Sequence, residues 1–178
     1  MTALVADADD LALARRFVEA RGSERDAAFA EIYRVYAPRV RGLCALLLRG
    51  RAEVDDALQD TFIAVADALR GFRGDARLST WIFRIAVRTS MRVAGRVRRH
   101  EVFDEEVPAP GSDLERDRRV RAAMAELPAE QRSVLALFTV EGMRHGEIAE
   151  ILGVPVGTVW SRLHHARKRL AALLGDLR

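Results

Sequence analysis

Ser161, His164, His165 and Lys168 recur at i, i+3, i+4 and i+7 within ILGVPVGTVWSRLHHARKRL, residues 151–170. On a helix that spacing gathers them on one side. Arg162, Arg167 and Arg169 add fixed positive charge, and no acid follows until Asp176. Hydroxyl, imidazole, ammonium and guanidinium groups with no carboxylate among them are donors suited to a polyanion, and the arginine fork matches phosphates and guanine edges. An ordinary solvated helix face is the other reading of the same residues.

A second basic cluster lies upstream. No acid occurs between Ala76 and His100, while Arg77, Arg84, Arg88, Arg92, Arg96, Arg98 and Arg99 accumulate. At about 100° per residue, Arg84, Arg88, Arg92, Arg96 and Arg99 fall in one arc, with Ile82, Phe83, Ala86, Val93 and Val97 opposite. Ser79 or Thr80 is placed to cap a helix beginning near Trp81. Like charges one turn apart repel. A solvated face would mix in Glu or Asp to relieve this, and their absence points to phosphate binding. The acids concentrate elsewhere: Asp56, Gln59 and Asp60 share one face of EVDDALQDTF, which by itself reads as a solvated acidic surface.

Covalent chemistry has thin support. Ser79 and Ser90 lie near arginines that could activate a nucleophile, but no carboxylate cluster for metal-assisted phosphoryl transfer stands beside the basic strip. Cys44 is the only cysteine. That excludes an internal disulfide and a cysteine-based zinc site, and its setting in GLCALLL reads as a buried structural thiol. No catalytic residue, metal site or cofactor is expected.

The elements that position these groups read as helices throughout. The chain has 178 residues, a hydrophobic fraction of 49% and a net charge of +3, which suits one or two small globular domains. Lys168 is its only lysine. Phe29, Ile32, Tyr33 and Tyr36 form one helical stripe, and Leu58, Phe62, Val65 and Leu69 form another. HEVFDEEVPAPGSD, residues 100–113, places four acids before a Pro/Gly/Ser cluster and reads as an exposed linker. The expected fold is all-α: a segment 1–23, a helical domain 24–99, the acidic linker 100–113 and a second helical domain 114–178. Asp7, Asp9 and Asp10 break the N-terminus, so it reads as neither signal peptide nor anchor. No apolar run reaches the ~20 residues of a membrane span, and a soluble, cytoplasmic protein is expected.

In the second domain a helix restarts after Leu127–Pro128, with Pro128 in its first turn. MRHGEIAEILG gives a short helix with Ile148, Ile151 and Leu152 inward and a small Ala149 that lets a neighbour approach. Gly153 supplies a turn, and Pro155 opens a last helix lined by Val159, Leu163, Ala166, Leu170 and Leu174. Two short helices about a glycine turn, the second basic outside, describe a helix-turn-helix. A helical hairpin used for packing or dimerisation, a helix-turn-helix repressor with an N-terminal sensor, and a DNA-processing enzyme such as a serine recombinase each fit part of this pattern.

Two long stretches carry a more specific likeness. LPAEQRSVLALFTVEGMRHGEIAEILGVPVGTVWSRLHHARKRL resembles domain 4 of the extracytoplasmic-function sigma factors, the compact two-domain class of bacterial sigma-70 proteins. VDDALQDTFIAVADALRGFRGDARLSTWIFRIAV resembles their domain 2. The likeness spans residues 25 to 175, linker included. It implies a protein that binds core RNA polymerase at its clamp and flap regions, reads the −10 and −35 promoter elements and helps open the duplex. It also implies control by an anti-sigma protein and no membrane insertion.

By the same resemblance, the last helix would enter the major groove of the −35 element. Trp160, Ser161, His164 and His165 stand at base-reading positions, with Thr158, Arg162, Arg167 and Lys168 beside them. The loop GFRGDARLST, with Arg73, would capture an unstacked −10 base. Trp81 would stack on the upstream edge of the opened duplex, and Arg84, Arg88 and Arg92 would follow along the strand. Asp56, Gln59 and Asp60 would meet the clamp, with Leu58 and Phe62 anchoring that helix in its own domain, and the linker would thread the RNA-exit path. Four positions depart from the family pattern. Trp160 stands where Lys or Arg is frequent, His165 replaces a common Arg, and Arg88 and Arg92 replace Asn and Asp or Asn.

Overall fold

The computed structural model describes residues 2–97 and 114–175; the linker expected at 100–113, and Arg99 of the arginine arc, lie outside them. The regular elements among the described residues are all helical: α1 (Thr2–Glu19), α2 (Ser23–Leu47), α3 (Arg51–Ala68), a 3₁₀ turn (Leu69–Gly71), α4 (Leu78–Val97), α5 (Leu114–Ala125), α6 (Ala129–Val140), α7 (His145–Leu152) and α8 (Val156–Leu173).

Helix α2 is the spine of the N-terminal half. Ile32, Tyr36, Val40, Leu43, Cys44 and Leu47 recur every three or four residues and are all buried. α1 lays Leu13, Ala14 and Phe17 against it, and the Phe17 and Phe29 rings meet at 6.0 Å. α3 starts at Gly50, where the Glu53 carboxylate accepts the Arg49 and Gly50 backbone N–H groups at 3.2 and 3.4 Å, satisfying donors that a helix start leaves open. Val54, Ala57, Phe62 and Val65 face inward. The buried hydroxyls of Thr61 and Thr89 stand 2.6 Å apart and join α3 to α4.

Helix α4 begins at Leu78, earlier than the start expected near Trp81, and neither Ser79 nor Thr80 caps it. Leu78 is 1% exposed and draws the first turn into the core, while the Trp81 N–H already bonds the Arg77 carbonyl at 3.0 Å. Ile82, Phe83, Ala86 and Val93 are buried as the wheel predicts. Each large apolar anchor contributes roughly 1.5–3 kcal/mol, against tenths of a kcal/mol for each like-charge pair on the outer side. The helix therefore tolerates its arginines.

In the C-terminal half, α6 supplies Val134, Leu135, Ala136 and Leu137, α7 supplies Ile148, Ala149 and Ile151, and α8 supplies Val159, Leu163 and Ala166. Pro128 precedes α6 as its cap residue rather than sitting in the first turn. Gly153 adopts φ 65°, and the Val154 N–H closes on the Ala149 carbonyl at 3.1 Å. This left-handed C-terminal turn suits glycine and sets the angle between α7 and α8.

The two halves also pack on each other, which periodicity does not reveal. α6 lies against α2, α7 lies against α4, and one buried cluster runs from Leu13 to Ala166. Arg132 of α6 donates to the Leu47 carbonyl at 3.0 Å, and Arg49 donates to the Ala125 carbonyl at 3.0 Å. Arg39 reaches Glu141 through two nitrogens at 2.9 and 2.6 Å.

Candidate nucleic-acid interface

Helix α8 has the two-sided character that the spacing anticipates. Val159, Leu163 and Ala166 are at most 2% exposed and seat it on α6 and α7. Ser161, His164, His165, Lys168 and Arg169 are exposed on the other side, and no acid lies within the helix. Ser161 Oγ turns back to the Thr158 carbonyl at 3.0 Å, and Thr158 is half-buried.

Three residues on the shoulders of that side have protein partners. Arg162 pairs with Glu130 at 2.6 Å. The Arg167 guanidinium lies 4.7 Å from the Phe138 ring. Trp160, 59% exposed, stacks on His145 at 4.0 Å between centroids with the planes 7° apart. His145 in turn is 5.5 Å from Phe138. Arg162 and Arg167 thus brace the helix-turn-helix while keeping a charge at its rim.

The arginine side of α4 differs from the expectation of an unrelieved strip. Arg77 pairs with Glu147 at 2.8 Å, Arg84 with Glu150 at 2.9 Å, and Arg92 with Asp60 at 2.9 Å. The acids missing from α4 itself arrive from α7 and α3. Arg88 and Arg96 are exposed and have no ion-pair partner among the described residues. Arg73, in the preceding loop, pairs with Asp75 at 3.0 Å while remaining exposed. Trp81 is half-buried and packs on Phe72 at 5.4 Å, so it is neither a core tryptophan nor a free ring.

On α3, Asp56 and Gln59 are exposed as expected, while Asp60 is engaged by Arg92. Phe62 is buried, and Leu58 packs against the core. Gln59 and Asp55 border an apolar groove lined by Phe29, Tyr33, Leu58, Phe62 and Ile63, in which Tyr33 and Ile63 are 45% and 53% exposed. Tyr33 belongs to the helical stripe of Phe29, Ile32 and Tyr36. It sits at the rim of the groove, its ring 4.6 Å from Phe62. Ser90, a candidate nucleophile, is fully buried with its Oγ 3.4 Å from the Cys44 thiol. Burial pushes that thiol upward in pKa, as befits a structural cysteine.

Sequence reasoning missed the acids Glu141, Glu147 and Glu150 and the ring of His145. Glu141 lies at the end of α6, its side chain 2% exposed against Arg39. Burial raises its pKa, and Arg39 works in the opposite direction. The available signal was the excess of acids on α7 opposite an acid-free α4.

An arginine-sided helix in one half and a helix-turn-helix with a basic outer side in the other are surfaces of the kind that bind nucleic acid. Patterns described as Sigma-70 region 2 and Sigma-70, region 4 match residues 32–101 and 117–170. The chain is 34% identical over 154 residues to the ECF RNA polymerase sigma factor SigM of Mycobacterium tuberculosis, covering 84% of this chain and 79% of SigM. The structure of CnrH in complex with the cytosolic domain of CnrY matches with a TM-score of 0.73 at 26% identity, covering 93% of this chain and 97% of that one. The sigma factor RpoE, in complex with the anti-sigma factor NepR from Bartonella quintana, matches with a TM-score of 0.71 at 29% identity over 84% and 98%. The chain belongs to the extracytoplasmic-function class of sigma-70 factors, which direct promoter-specific transcription initiation by RNA polymerase. Among the described residues no helix is long and apolar enough to cross a membrane.

Proposed function

We propose a division of labour within this sigma factor. Residues 24–99 dock on the polymerase clamp and handle the −10 element, 114–178 read the −35 element and meet the flap, and 100–113 connect them. The observation that carries the reading is α8: three buried anchors hold out an acid-free side bearing Ser161, His164, His165 and Lys168. In a major groove, phosphate contacts by Lys168 and Arg169 would set position, while Ser161 and His164 would reach base edges. Trp81, Arg84, Arg88, Arg92 and Arg73 serve the −10 region. Asp56 and Gln59, the latter at the Tyr33–Ile63 groove, serve the clamp, with Asp60 entering when Arg92 releases it.

The protein acts by binding rather than by turnover, and its place is the cytoplasm, with polymerase and promoter. One structural neighbour, CnrH, is in complex with the cytosolic domain of CnrY, and another is a sigma factor in complex with a protein described as an anti-sigma factor. A protein of that kind is the expected regulator here. The test is run-off transcription from genomic promoters with core polymerase, with and without the purified chain. Discrete, chain-dependent start sites are expected. Nicked DNA would indicate a processing enzyme, and polymerase-independent operator binding would indicate a repressor.

A further inference from the structure

Trp160 is the most exposed large apolar side chain of α8 among the described residues, and it is not left free to turn. Its ring lies flat on His145 at 4.0 Å, nearly parallel, yet 59% of the residue stays exposed. His145 is half-buried at the start of α7 and is itself backed by Phe138. One indole face is therefore covered, while the other face and the ring edge remain open one helical turn from His164. A stack of this kind holds a side chain that has only two torsions in one orientation.

An indole carries a single N–H donor and no acceptor or charge. In the major groove each base pair offers donors and acceptors, but thymine alone adds a methyl group that an apolar surface can cover. We propose that Trp160 reads the 5-methyl group of a thymine in the −35 element and that His145 is the residue that positions it. This rests on α8 lying in the −35 major groove. It adds a specificity that hydrogen bonding by Ser161 and His164 cannot supply.

The test uses the protein with core polymerase on its selected promoter, replacing each −35 thymine in turn with deoxyuridine, which lacks only the methyl. Loss at one position of about fourfold in Kd is expected, the worth of one buried methyl group. Trp160→Lys should bring that ratio to about one. His145→Ala should bring it below twofold while changing affinity for the deoxyuridine promoter little. His145→Tyr, which keeps a ring, should restore it, which a merely structural role would not require.

Wild-type indifference to every thymine replacement, or a selected element without an enriched thymine, would overturn the proposal. So would full methyl sensitivity in His145→Ala. If affinity still depends on the −35 sequence and on Ser161 and His164 in those cases, only this inference fails. If scrambling the −35 element leaves Kd unchanged, the placement of α8 fails with it.

Discussion

Replacing Arg39 with alanine should loosen the hold of one half of the molecule on the other. The Arg39 guanidinium makes two contacts with Glu141, at 2.9 and 2.6 Å, and lies 5.4 and 5.2 Å from the Tyr36 and Phe83 rings. The Glu141 side chain is 2% exposed, whereas Arg39 is 42% exposed. Stranding one member of a fully buried ion pair costs about 3–5 kcal/mol. Solvent around Arg39 screens part of this, so the expected loss is about 2 kcal/mol, including the ring contacts. Because the pair bridges α2 and the end of α6, the loss should appear as separation of the halves, shifting the open-to-closed ratio by roughly 30-fold. Fluorescence transfer between labels on cysteines placed at the exposed positions Asp67 and Ala172 would read it, Cys44 being buried. The pH dependence has a defined sign. Burial raises the Glu141 pKa against the pull of Arg39, so its contribution is present at low pH and lost as pH rises through the folded value. Without Arg39 that value moves further up, so the deficit of Arg39→Ala should widen as pH rises through the folded Glu141 pKa, which lies above the ordinary carboxylate value. A coupling below ~0.5 kcal/mol in the cycle with Glu141→Gln, or a deficit independent of pH, would refute the reasoning.

Charge reversal at Asp56 and Asp60 should weaken association with core polymerase, most at low salt, with the fold intact by circular dichroism; unchanged affinity would remove the acidic face from docking. Replacing Ser161 and His164 together should change the bases recovered in a promoter selection. Replacing Lys168 or Arg169 should instead weaken binding evenly and lower the salt slope by about one phosphate each. Trp81→Ala should lower open-complex formation, read by permanganate reactivity of unpaired thymines, by about tenfold, the scale of one lost base stack. A template mismatched across the −10 region should recover most of that loss, and equal opening by mutant and wild type on matched DNA would assign Trp81 to packing on Phe72.

What the sequence disclosed follows from what periodicity encodes. The buried faces of α2, α4 and α8 were legible because Ile32, Ile82 and Val159 repeat with their neighbours at helical spacing, and Gly153 marked its own turn. The start of α4 was misplaced because two hydroxyl residues looked like caps, while burial of Leu78 governs the first turn. Contacts between distant segments were not legible. Arg84 and Glu150 are 66 residues apart, and although α7 carries two acids, no local pattern says that they lie beside α4. The same limit hid the stacking of His145 on Trp160.

If α4 takes the −10 strand as proposed, the pairing of Arg77 and Arg84 with Glu147 and Glu150 occupies guanidinium groups that promoter phosphates would take, and α7 would act as an internal substitute for a DNA backbone. The −10 and −35 elements are, by their names, about 25 base pairs apart, or ~85 Å of duplex at 3.4 Å per step. While Arg84 holds Glu150 at 2.9 Å, α4 is tied to α7, which also packs on α8, and on the proposed assignment the two DNA-facing helices would lie too close to span those elements. Promoter engagement would then be an exchange reaction in which arginines leave one set of anions for another. Salt acts on both sides of that exchange. It screens the internal pairs as well as the DNA contacts, so affinity should fall with salt less steeply than a count of the arginines would suggest.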